Sequence, residues 1–189
     1  MSSITRTWLA FASLGAGLIH LALVLGSPVP IAIAAAGLGT AELGWGVLIL
    51  VRGTLVVPRT ALVVAIAPIV LWSLMIFAAT LFHDSVLATS VEIFPLTIST
   101  LFELFAAGVL SVHLRRRADA ATPARPPTAP RYLAAVIVGG FAISVLTTPA
   151  LAATEAGLYA QPHGEHSDSF VPQERDPVKL ELPEHFEHP

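Results

Sequence analysis

Long apolar runs broken by short polar punctuation fill the first 152 positions of the chain. They cover Trp8–Gly26, Pro30–Val51, Ala61–Phe82, Ser90–Leu114 and Tyr132–Ala152. Each approaches or exceeds the roughly 20 residues that a helix needs to cross the hydrocarbon core of a bilayer. The breaks carry the signals that end helices. Ser27-Pro28-Val29-Pro30 makes a very short first turn, Arg52-Gly53 and Val57-Pro58-Arg59 a second, His83-Asp84 a third, and Arg115-Arg116-Arg117 closes the fourth run. Residues 118–131 are rich in Pro and Ala and read as a linker. The pattern predicts an all-α integral membrane bundle of five transmembrane helices with a disordered C-terminal tail. Residues 1–114 form a four-helix membrane unit, 115–131 a cytoplasmic Pro/Ala/Arg-rich linker, 132–152 the fifth transmembrane helix, and 153–189 an extracytoplasmic acidic tail containing histidines.

Composition supports this reading and orients it. Of 189 residues, 54% are hydrophobic and 12% charged, about half the charged share of a soluble domain. Cytoplasmic loops collect Lys and Arg near helix ends. Arg6, Arg52, Arg59, Arg115, Arg116, Arg117, Arg125 and Arg131 all fall on one side if five helices alternate. The N-terminus is therefore expected inside and the tail outside. Residues 1–154 carry eight basic and five acidic residues, whereas the tail carries two basic and eight acidic, so anionic headgroups repel it. Two processing readings compete with this layout. The first run is too long for a cleaved signal peptide and contains His20. The fifth ends in Pro149-Ala150-Leu151-Ala152, which resembles a signal-peptidase exit and would release the tail if cut. The absence of cysteine excludes disulfides, thiolate metal sites and thiol catalysis.

Charge inside a membrane is costly and usually faces the protein interior, where it pairs and marks function. Three residues qualify: His20, Glu42 and Glu103. At about 1.5 Å rise per residue they lie roughly 18, 12 and 15 Å from the inner ends of their helices, near one level. Each shares a helical face with small residues. Ser13, Ala16 and Gly17 accompany His20, Gly39 and Gly46 accompany Glu42, and Ser99, Thr100, Ala107 and Ser111 accompany Glu103. Small residues let helices approach closely in lipid, so the three groups are expected to point into the bundle. Converged, they could ligate a divalent metal, relay protons, or serve only as a hydrogen-bonded lock on helix register. His83, Asp84 and Glu92 at the outer rim suggest a vestibule above the cluster or a solvated loop, and His113 belongs to the inner positive flank. Trp8, Tyr132 and Phe82 read as interfacial anchors, and Trp45 and Trp72 as packing.

The tail holds two H-x-E-H patterns, His163 to His166 and His185 to His188. Imidazoles three apart with a carboxylate between them can capture zinc or copper(II), although prolines at 162, 172, 177, 183 and 189 favour an extended, solvated segment. Candidate metal ligands are thus His20, Glu42, Glu103, His163, His166, His185 and His188. There is no lysine-bearing phosphate loop and no G-x-S-x-G, and Lys179 is the only lysine. The arginines mark topology rather than forming a basic patch with aromatics, so nucleic acid is not an expected partner. The expectation is a non-enzymatic integral membrane protein handling a divalent transition metal at the outer face. A structural or assembly subunit of a larger membrane complex and a proton-coupled small-solute transporter are the alternatives. The expected partners are the lipid bilayer and either a second membrane protein or further copies of the chain.

Gly15-Ala-Gly-Leu-Ile-His20, Gly39-Thr-Ala-Glu-Leu-Gly-Trp45, Leu71-Trp72-Ser73 and Ile98-Ser-Thr-Leu-Phe-Glu103 occur in that order. Over about residues 7–113 the chain resembles a group of small bacterial multispan membrane proteins without assigned function. In that group an Ile-His in the first helix, a polar residue before a Trp in the second, a Leu-Trp in the third and a late Glu recur in the same order. Glu42 departs from it, since glutamine is usual there. The resemblance implies a four-helix membrane unit with the fifth helix and tail added.

Overall fold

The computed structural model of the chain describes residues 1–82, 92–118 and 127–160, and these are helical with short connections. Five long helices follow one another: α1 Ser3–Ala22, α2 Val29–Arg52, α3 Pro58–Phe82, α4 Ile93–Ala118 and α5 Ala129–Ala152, with a single turn, α6, at Glu155–Leu158. Local chemistry sets their ends. The Ser2 hydroxyl accepts the Thr5 backbone N–H at 3.1 Å and starts α1. Gly53, at φ 61°, ends α2 in the left-handed conformation that glycine adopts without a Cβ penalty. Pro30 and Pro130 lie in the first turns of α2 and α5, where a missing N–H costs nothing.

Helix α1 is the axis of the bundle. It packs along α2, α4 and α5, while α3 joins through α4 and hardly touches its sequence neighbour α2. The α1–α2 seam is close because it is built of glycine. A Cβ at Gly17 would lie 2.8 Å from the Gly39 carbonyl oxygen, and one at Gly39 would lie 2.8 Å from that of Gly17. On the opposite side Gly139 of α5 lets the Trp8 ring pass, and the Trp8 indole N–H donates to the Ala135 carbonyl at 2.8 Å. Two apolar clusters fill the interior. One, with Ile19, Leu23, Leu96 and Ala150, lies towards the C-terminal end of α1. The other, with Leu9, Ile49, Ala61 and Leu110, lies towards its N-terminal end.

Among the described residues, four helices are long and apolar enough to cross a membrane: α2, α3, α4 as far as Arg116, and α5. The sequence predicts five spans, and α1 is the one outside this set. It carries Ser3, Thr5, Arg6, Thr7, Ser13 and His20 within 20 residues. A helix covered by protein on three sides needs less lipid-compatible surface than its neighbours, which explains its polarity. The large apolar side chains of the other helices face outward, with Val51 77%, Phe141 71% and Val63 66% exposed. Helix directions alternate. The Thr7 and Tyr132 hydroxyls meet at 3.0 Å, and the Arg6 guanidinium lies 3.8 Å from where a Cβ on Gly53 would be. The arginine-bearing ends of α1, α2 and α5 therefore coincide.

At the other end the structure departs from the sequence reading. The predicted tail begins at 153, but residues 153–160 fold into a turn and α6. Thr154 caps α6, accepting the Gly157 N–H at 3.3 Å. The Glu92 carboxylate accepts the Glu155 N–H at 3.3 Å, so this rim residue ties α4 to the cap. The short tail helix was missed because four residues carry no periodic signal. His83 and Asp84 lie outside the described residues.

Candidate metal centre

His20, Glu42 and Glu103 come from α1, α2 and α4, and the packing of those helices brings them together. Ser13 anchors the second of them by donating its hydroxyl to the Glu42 backbone carbonyl at 2.8 Å across the glycine seam. One helical turn from Gly17, the His20 ring is fully buried, with Glu42 6% and Glu103 2% exposed. His20 Nδ1 lies 2.8 Å from Glu42 Oε2, a hydrogen bond in which the ring N–H donates to the carboxylate. On the far side of the ring, Nε2 lies 3.3 Å from Glu103 Oε1. No hydrogen bond forms there: His20 Nε2 and both Glu103 carboxylate oxygens are buried without a hydrogen-bond partner.

This asymmetry is chemically informative. A carboxylate on one ring nitrogen fixes the tautomer and aims the lone pair of the other, the usual outer-shell arrangement of metal-binding histidines. With ligand bonds of about 2.0–2.1 Å, two donors of a tetrahedral site stand roughly 3.4 Å apart, close to the Nε2–Oε1 separation. One ligand atom from each of the three residues can be chosen so that all lie within 4.8 Å of one another. The group of His20, Glu42 and Glu103 could hold a metal ion. A nitrogen and carboxylate set without thiolate suits zinc or copper(II).

The small-residue faces work largely as the sequence suggests. Ser13, Gly17, Gly39 and Gly46 line the α1–α2 contact, and Ser99 is buried beside its own helix, donating to Leu96. On α4, Phe102 and Ala106 join Glu103 on the wall of a cavity of about 190 Å³ that lies between α2 and α3. Trp45 packs against the inner apolar cluster as expected. Its indole N–H also donates to the Val56 carbonyl at 2.8 Å, and its ring lines this cavity. The cavity is the feature that sequence reasoning missed, since it arises where two consecutive helices pack only loosely against each other. The four tail histidines, His163, His166, His185 and His188, lie outside the described residues. No protein family, curated protein or solved structure matches the chain.

Proposed function

We propose that this chain is a non-enzymatic integral membrane protein that binds a divalent transition metal, zinc or copper(II), at an intramembrane centre formed by His20, Glu42 and Glu103. One observation carries the reading. Three titratable groups from three helices meet in the interior, and His20 Nε2 and both Glu103 oxygens, 3.3 Å apart at their nearest, make no hydrogen bond. Buried polar atoms that lack partners are costly, and an ion supplies the missing interaction. Two carboxylates and a neutral imidazole balance a divalent charge, which suits a low-dielectric site.

The same proposal takes α1 as a fifth span, with the arginine ends of the helices cytoplasmic and the tail outside, where its two histidine pairs would capture the ion. Reporter fusions after residues 54 and 160 test the orientation. Cytoplasmic signal from the first and extracytoplasmic signal from the second are expected, and the reverse pattern overturns it.

Metal binding is tested on purified protein whose four tail histidines are replaced by alanine, so that only the interior centre is read. One zinc or copper(II) ion per chain is expected at micromolar affinity or better. Glu42→Gln should weaken it by about 10–100-fold, as expected for a residue that orients a ligand, and Glu103→Gln by more. No binding by the folded protein overturns the reading and leaves the trio as a lock on helix register.

A further inference from the structure

The cavity beside the centre has a composition of its own. Its walls are the first turns of α3, with Ala61, Val64 and Ala65, facing Ala12 and Ala16 of α1 and Ala106 of α4. Four polar residues, Ser13, Glu42, Thr60 and Glu103, are among those that line this largely apolar chamber, and none of the described residues lining it is basic. Trp45 and Phe102 add aromatic faces. Because α2 and α3 hardly touch, the space opens sideways between them, past exposed Ala41 and Thr60. In a membrane that opening faces lipid.

A hydrated ion is a poor occupant of such a chamber, because its largely apolar walls offer few groups to replace lost water. An amphipathic cation fits better. Its apolar body is compatible with both the bilayer and the chamber wall, its ammonium group has the carboxylates of Glu42 and Glu103 to pair with, and aromatic faces attract the charge. Size narrows the class. A cavity of about 150 Å³ lined by apolar side chains accommodates benzene, so about 190 Å³ takes one ring with a short aminoalkyl arm.

We propose that the α2–α3 chamber is a binding site for small lipid-soluble amines, which enter laterally from the bilayer and place their ammonium group against Glu103. The site goes beyond the metal reading and shares only the carboxylates with it.

The test is equilibrium binding of benzylamine to the detergent-purified full chain in the presence of a metal chelator, with toluene as the uncharged control of the same shape. Omitting metal keeps the result separate from the fate of the metal centre. Saturable benzylamine binding at least tenfold tighter than toluene is expected. Glu103→Gln should remove that preference. Ala65→Phe should abolish binding by filling the chamber, and Ala41→Phe, at an exposed rim position that the fold tolerates, should weaken it at least tenfold while leaving metal binding intact. Equal binding of amine and toluene, or no amine binding by the folded protein, overturns the proposal. So does amine binding that survives both phenylalanine variants.

Discussion

His20→Ala is expected to abolish metal binding and to destabilise the bundle by about 1–3 kcal/mol, the usual cost of leaving a buried polar group without its hydrogen bond. The ring is fully buried and separates two carboxylates, at 2.8 Å from Glu42 and 3.3 Å from Glu103. Alanine removes the ring that stands between these acidic groups on α2 and α4 and leaves Glu42 without its hydrogen bond. Thermal unfolding in mild detergent, followed by helix signal, reads the loss. A triple variant separates stability from function. Replacing His20, Glu42 and Glu103 together by leucine removes all the polar demand at once, and such apolar replacement is often neutral or stabilising. It should recover much of the lost stability while binding no metal. If His20→Ala melts with the parent protein, the trio carries no structural weight and the proposed electrostatics of the centre fail.

The second large effect is expected at Gly39. Its Cβ would stand 2.8 Å from the Gly17 carbonyl oxygen, a main-chain atom that cannot rotate away. Gly39→Ala therefore has to push α2 off α1, and overpacking of this kind costs about 1–3 kcal/mol. Gly39→Leu should prevent stable assembly altogether. The displacement also lengthens the His20–Glu42 contact one turn away, so metal affinity should fall together with stability. Gly37 is the control on the same helix. Nothing lies within 4 Å of a Cβ placed there, and Gly37→Ala should leave stability unchanged or raise it slightly, by about 0.4–1 kcal/mol. Equal effects at the two glycines would show that helix propensity, not close approach, governs this seam.

The sequence makes the long helices legible because each rests on an apolar run that lipid demands. Their ends shift by a few residues where caps rather than hydropathy decide: α1 starts at Ser3 under the Ser2 hydroxyl, five residues before Trp8. The interior trio was legible for a physical reason too. Rare titratable groups at one depth, each beside small residues, have few places to go except towards each other. Two things could not be read. The asymmetry of the His20 ring depends on ångström-level placement, which no spacing rule supplies. The chamber depends on α3 packing against α4 instead of α2, although the short connection of residues 53–57 gives every reason to pair α2 with α3. Val57, a β-branched residue at φ 41°, sits in that connection, where such a backbone conformation is strained.

The place of α1 at the bundle's axis has a consequence for biosynthesis. It is made first, yet it is the helix least suited to meet lipid alone. Glu42 follows His20 by 22 residues, so one partner emerges almost at once and the two segments can enter the bilayer as a hairpin, with the imidazole already shielded. Glu103 comes far later. At about 5–20 residues per second, several seconds pass in which the nascent hairpin exposes the open side of its histidine. Until the fourth helix arrives, that edge of the imidazole lacks its second carboxylate, so chains truncated before residue 103 are expected to hold α1 and α2 together less firmly than the full chain.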